Sequence, residues 1–275
     1  MKTVNILGFG VMGRQVAALL QSIGYDVTVW SRHIDDDKSQ LFCRDIKRID
    51  KYFPNKAKGK GHICYVNNIE LLMPALTFEV LVEDVDVKRR VIESLVYDVG
   101  DQGILTNTSS YSPSEIHCCA VGLHFFNPIY LLRFAELSCT TFEPVLSIRC
   151  LVESLCSELN VEIVHVRGNR GYIGNYLLFQ DVANAFKLLE KYRYDTKTID
   201  KVLNHMGRSI SLFDIVDLVG VDVTRQIIRN LSKEDPSIFY PPVLDRAIAR
   251  GVLGKKNRTS IRDFVDEERV GKGGI

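Results

Sequence analysis

No uncharged apolar stretch in these 275 residues reaches the about 20 residues that a membrane-spanning helix needs. The amino-terminal MKTVNILGFG likewise has no signal-peptide hydrophobic core. These two absences argue against a membrane partner and make the cytoplasm the expected location. An excess of charge is missing as well: 35 basic and 34 acidic side chains leave a formal charge of +1. No long-range field therefore draws the chain to nucleic acid or anionic lipid, and partners must be recognised locally. The seven cysteines are odd in number and irregularly spaced, which argues against a disulfide framework and for a reducing compartment. Cys118 and Cys119 stand beside His117, but no second ligand cluster at zinc spacing follows, so no metal is expected. No internal repeat is present. The remaining composition, 46% hydrophobic and 25% charged, is ordinary for one large globular domain or two moderate ones.

What is there begins at the amino terminus. Thr3 to Leu7 is a short β-rich run, Gly8-Phe9-Gly10-Val11-Met12-Gly13 follows at once, and Val16, Leu19, Leu20 and Ile23 then recur at helical period. Gly24 ends that helix, and DVTVW from Asp26 to Trp30 reads as a second strand. A GxGxxG string between a strand and a helix is the setting in which a dinucleotide pyrophosphate binds. Gly8 permits the tight turn, Gly10 lets the pyrophosphate approach the backbone, and Gly13 lets helix and strand pack closely. At the end of the second strand, where a carboxylate would accept from the ribose 2′-OH of NAD, stand Ser31 and Arg32. A hydroxyl and a guanidinium suit a 2′-phosphate, so NADP(H) is favoured over NAD(H). The alternative is that Asp35, Asp36 or Asp37 supplies a displaced carboxylate.

Between Arg32 and His62 the chain is polar and basic, with only a weak helical pattern. Strand-like and helix-like stretches then alternate: HICYV, helical NNIELLMPA, FEVLVEDV, helical VKRRVIESLVYDV, GILTNTSS, AVGLHFF, helical EPVLSIRCLVESLCSEL, and EIVHV. This alternation predicts a parallel sheet with helices on both faces. After Gly171 strands vanish, and Ile173, Leu177, Leu178, Val182, Phe186 and Leu189 form a helical stripe, with two or three further helical patterns through about Ala249. The fold class is α/β: a Rossmann-type parallel-sheet domain, residues 1–169, followed by an all-helical domain, residues 170–275. The boundary falls at RGNRG, and the polar RTSIRDFVDEERVGKGGI is expected to be a loosely held tail.

GFGVMG, FEVLVEDVDVK, LTNTSS, VGLHFFNP followed by FAEL, GYIGNYLL, TIDKVLNHMG and DLVGVD occur in the order of related strings in the 3-hydroxyacyl-CoA dehydrogenase family, which the sequence resembles from about residue 3 to residue 256. The resemblance implies hydride transfer between a nicotinamide and C3 of an acyl thioester, on a homodimer joined through the helical domain. It makes His124 of HFFNP the general base and Glu136, twelve positions on, the carboxylate that orients it, a pairing whose chemistry is coherent in its own right. Ser109 and Asn175 match positions that hydrogen-bond the substrate oxygens, and Asn127 matches a substrate-pocket position suited to orienting the histidine loop. Cofactor contacts are placed at Gly8, Gly10, Val11, Met12 and Gly13, at Ser31 and Arg32, and at Glu83, Lys88 and Asn107. The segment between Arg32 and FEVLVEDV is shorter than the family's CoA-clamping helical hairpin, so an acyl-carrier protein is an alternative to CoA as thioester carrier. A non-catalytic binding or structural member of the fold is the third reading.

Overall fold

The computed structural model describes residues 2–53, 61–138, 143–167 and 172–271, which fall into two compact units, Met1–Tyr172 and Ile173–Ile275. Residues 168–171, most of the RGNRG segment where the boundary is expected, lie outside the described residues, as do 272–275.

The first unit is a sheet wrapped by helices. Its elements are β1 (Thr3–Leu7), α1 (Val11–Ser22), β2 (Asp26–Trp30), α2 (Asp36–Tyr52), β3 (Ile63–Val66), β4 (Leu76–Glu79), α3 (Val85–Glu93), α4 (Val99–Gln102), β5 (Ile104–Thr106), α5 (Pro113–Ile116), β6 (Ala120–Phe125), β7 (Phe134–Ser138), α6 (Glu143–Glu158) and β8 (Glu162–Val166). The strand order is β3-β2-β1-β4-β5-β6-β7-β8. The order in which strands are added reverses at β1, so the crevice between β1 and β4 lies at the carboxyl edge where ligands of such sheets bind. Val4, Ile6, Val27, Val29, Phe78, Leu105, Val121 and Leu123 are all within a few per cent of complete burial. These near-continuous apolar strands are what a sheet covered on both faces requires.

The sheet is not parallel throughout, as the alternation alone predicts. β7, which no periodicity marked, runs antiparallel to β6. Only residues 126–133 separate the two strands, too few for a parallel crossover, which takes a dozen or more. Other boundaries differ too. NNIELLMPA contains only a 3₁₀ turn at Ile69–Leu71. VKRRVIESLVYDV breaks after Glu93, because Tyr97 turns inward: its hydroxyl accepts from Asn5 Nδ2 at 2.7 Å and pairs with Thr77 Oγ1 at 2.8 Å. The weak pattern after Arg32 is a full helix, α2, whose Phe42 and Ile49 are buried and whose Asp45 accepts from Arg14 of α1 at 3.1 Å.

The second unit is helical: it takes α7 (Tyr172–Tyr192) from Ile173 onward, then α8 (Thr196–His205), α9 (Leu212–Val219), α10 (Val221–Glu234), α11 (Val243–Ala249) and α12 (Ile261–Gly271). Its core gathers Phe179, Val182, Phe186, Phe213, Val216, Ile228 and Leu244. The expected loose tail is instead α12. Ile261, Phe264 and Val265, at 0%, 8% and 8% exposure, recur at i, i+3 and i+4 and give an otherwise polar segment one apolar face. Asp217 accepts from the Ile261 N–H at 2.7 Å, and Thr196 donates to Asp266 at 2.8 Å. No helix among the described residues is long and apolar enough to cross a membrane.

Candidate active site

The carboxyl ends of β1, β2, β4, β5 and β6 carry most of the residues singled out in the sequence. The Gly8 to Gly13 turn follows β1. Gly8 has a φ of +110°, and a Cβ there would stand 2.7 Å from the Val80 carbonyl oxygen; at Gly13 it would stand 2.2 Å from that of Gly8. Any side chain at Gly13 would push α1 off the turn. Gly10 is the N-cap of α1 and supplies no side-chain cap, and the first turn holds no acidic residue. The opening N–H groups of Val11 and Met12 thus stay available to an anion. These residues fit a dinucleotide pyrophosphate. Ser31 and Arg32 follow β2, the Ser31 hydroxyl donating to the His33 carbonyl at 3.1 Å. Asp35 is committed as the N-cap of α2, accepting from Lys38 N at 2.8 Å, which takes it away from the role of displaced ribose ligand.

The ends of β4 and β5 are joined by a buried ionic cluster. Lys88 is 1% exposed, and its Nζ lies 2.7 Å from Glu79 Oε1 and 3.2 Å from Glu83 Oε2. Glu83 accepts further hydrogen bonds from the Thr108 and Ser110 hydroxyls at 2.6 and 2.8 Å, and from the Ser109 and Ser110 N–H groups at 2.9 and 2.8 Å. Burial would raise the Glu83 pKa, but the Lys88 ammonium and these donors overcome it and hold the carboxyl below its ordinary value. Burial would likewise lower that of Lys88, and Glu79 and Glu83 together drive it up instead. Two of the expected cofactor residues therefore shape the loop bearing Ser109. Glu79 was missed in sequence; the signal was a lone carboxylate inside the apolar run LTFEVLV.

His124 lies near the end of β6, 4% exposed, and Glu136 is its direct cross-strand partner on β7. The spacing of twelve is the span of that antiparallel turn-back. His124 Nδ1 and Glu136 Oε2 are 2.8 Å apart. A carboxylate only accepts, so Nδ1 carries the proton and Nε2 is left as the nitrogen that can receive one. Tyr172 stacks on the ring at 5.0 Å between centroids, and Phe126 tilts against it at 4.6 Å, fixing its plane. Burial, with the carboxylates Glu83, Glu136 and Glu79 nearby, pushes the Tyr172 phenol far above its ordinary pKa.

Two amides hold the loop after β6. Asn107 accepts from the Phe125 N–H at 2.8 Å. Asn127 accepts from Gln15 Nε2 at 3.0 Å, and Gln15 in turn accepts from Ile129 N–H at 2.9 Å. Gln15, buried on α1, was not singled out in sequence, although a polar residue beside a helix's apolar stripe was the available sign. Asn175 stands in the first turn of α7, in the second unit, 7% exposed. His117, Cys118 and Cys119 sit at the opposite, amino end of β6 with ligand atoms within 4.8 Å of one another. Among the described residues no fourth His, Cys, Asp or Glu joins them, and structural zinc takes four ligands.

Comparison with known proteins adds the following. The profile of the 3-hydroxyacyl-CoA dehydrogenase NAD binding domain matches residues 3–143, and that of the 3-hydroxyacyl-CoA dehydrogenase C-terminal domain matches residues 171–263. A 3-hydroxybutyryl-CoA dehydrogenase from Clostridioides difficile is 27% identical, over 94% of this chain and 98% of its own. The mitochondrial hydroxyacyl-coenzyme A dehydrogenase of Rattus norvegicus is 25% identical, over 93% and 88%. The crystal structure of FadB2 from M. tuberculosis superposes with a TM-score of 0.82 at 24% identity, covering 94% of this chain and 96% of that one.

Proposed function

The chain belongs to the 3-hydroxyacyl-CoA dehydrogenase family, and on that premise we propose that it interconverts 3-hydroxyacyl and 3-oxoacyl thioesters, using NADP(H) in preference to NAD(H). The observation that carries the reading is the buried His124–Glu136 pair, set at the same sheet edge as the glycine turn. The dinucleotide, when bound, supplies or accepts the hydride at C3. His124 Nε2 takes the hydroxyl proton in oxidation and returns it in reduction, while Glu136 stabilises the imidazolium that forms between the two. Ser109 and Asn175 donate hydrogen bonds to the substrate oxygen as it becomes a carbonyl or an alkoxide. Asn127 orients the histidine loop, and Asn107, Glu83 and Lys88 border the nicotinamide end of the cofactor site.

The test is consumption of reduced nicotinamide with acetoacetyl-CoA, NADPH and NADH run side by side. Turnover faster with NADPH is the expected result, and turnover with NADH alone would overturn the cofactor preference. Arg32→Asp should raise KM for NADPH by about 10-fold or more, the worth of one or two charge-assisted hydrogen bonds, and change that for NADH little. An equal effect on both would mean that this corner does not read the 2′-phosphate.

A second reading keeps the chemistry and changes the carrier. α2 ends at Tyr52 and β3 begins at Ile63, so only residues 53–62 are available for the second arm of a CoA-clamping hairpin. An acyl-carrier protein would then present the thioester, and a much higher kcat/KM on carrier-bound than on CoA-bound substrate is what supports it. We also propose a homodimer through the second unit, where Leu177, Val202, Met206, Ile210 and Leu218 are each more than half exposed. Met206→Glu with Ile210→Glu should halve the mass measured by light scattering.

A further inference from the structure

We infer that Arg90, a residue outside every motif discussed above, is a second reader of the adenosine 2′-phosphate; this rests on the NADP(H) reading proposed above. A pocket of about 240 Å³ opens beside the end of β2, bounded by Trp30, Leu81, Val82 and Val91 with Arg32 and Arg90. Its floor is apolar, and the Trp30 indole is fixed by donating to the Asn67 carbonyl at 3.2 Å. Arg32, from the corner after β2, and Arg90, from α3, both line it. Arg90 Nε donates to the Asp86 carbonyl at 3.2 Å, one turn back, which draws the side chain toward the amino end of α3 and so toward the carboxyl edge of the sheet. Its terminal N–H groups stay available. Among the described residues neither Arg32 nor Arg90 forms an ion pair with a carboxylate, although the chain has 34 acidic side chains to its 35 basic ones.

Both arginines are exposed cations that line one pocket, and an anion seated there gains attraction from each. The ligand that suits the pocket has a flat apolar body for the floor and a compact dianion for the rim. An adenine ring carrying a ribose 2′-phosphate is that ligand; the 2′-OH of NAD would leave both cations unneutralised. Planar guanidiniums also suit this task better than ammonium groups, because they bind phosphate oxygens in pairs.

Titration calorimetry with adenosine 2′,5′-bisphosphate and with 5′-AMP isolates the 2′-phosphate, the sole difference between the two probes. The wild-type protein should bind the bisphosphate at least about 10-fold more tightly. Arg90→Met should reduce that ratio by about 10-fold while leaving 5′-AMP affinity within about twofold, and Arg90→Lys should restore part of it. Wild-type protein that does not separate the probes would sink the NADP(H) reading itself. A wild-type preference that survives Arg90→Met unchanged would sink the role of Arg90 alone. Equal weakening of both probes would assign Arg90 to the adenine ring and also overturn the inference.

Discussion

His124→Asn should lower kcat by about 10²- to 10⁴-fold, the usual worth of a positioned general acid–base, while the dissociation constant for the nucleotide changes by less than about threefold. Asparagine is the informative replacement. Its amide nitrogen can stand where Nδ1 does and keep the Glu136 carboxylate partnered, so the variant removes the group at Nε2 without orphaning a buried charge. Glu136, 1% exposed, would otherwise carry a desolvation penalty that unfolds the site for an unrelated reason. Glu136→Gln should also slow turnover, since a neutral amide does not stabilise the imidazolium. Parallel loss of activity, nucleotide binding and thermal stability in His124→Asn would mark the histidine as structural. Full activity would mean that the proton leaves by another route.

The legibility of this site followed the kind of signal each residue carried. Gly8 and Gly13 were readable because the constraint is local: a positive φ at one and a 2.2 Å approach at the other are demands that one turn makes on its own residues. His124 was not readable by pattern, because one histidine in LHFFNPIYL looks the same whether it faces substrate or fills a strand. What separates the readings is Glu136, placed opposite it by β7, and no periodicity showed that short strand; the resemblance supplied the pairing instead. The helix α12 was hidden in the opposite way. Composition averaged over a polar segment masks three apolar residues on one face, and the Asp217 side chain that caps its start comes from α9, forty-four residues earlier. Glu79 and Arg90 went unseen because their meaning depends on neighbours from other elements, Lys88 in one case and the β2 corner in the other.

Lys88→Met carries the largest expected loss of stability, about 3–5 kcal/mol at neutral pH, because removing one partner leaves buried carboxylates without their cation. Methionine keeps most of the volume, so packing does not account for the loss. Glu79 retains Thr106 Oγ1 at 2.6 Å and Leu81 N–H at 2.7 Å, and Glu83 retains its four loop donors, but neither set supplies a positive charge. The pH dependence gives the effect a signature. In the wild type Glu83 is held below its ordinary 4.5, so its contribution is present above pH about 4.5 and is lost as pH falls through the lower folded value. Lys88, raised above its ordinary 10.5, contributes fully at every pH below that and loses its contribution only in strong alkali. Without the ammonium, the burial that opposes ionisation of Glu83 is no longer overcome by a positive charge, and its carboxyl rises in the folded state. The variant is then destabilised most at neutral pH and recovers as acid protonates Glu83, so the gap in unfolding free energy between wild type and variant should narrow from pH 7 to pH 5. Denaturant titrations at the two values read this directly. A gap that stays constant would mean that the loss is one of packing. A gap below about 1 kcal/mol at pH 7 would mean that the cluster is solvated enough to do without its cation, and that Glu83 holds the Ser109 loop by hydrogen bonds alone.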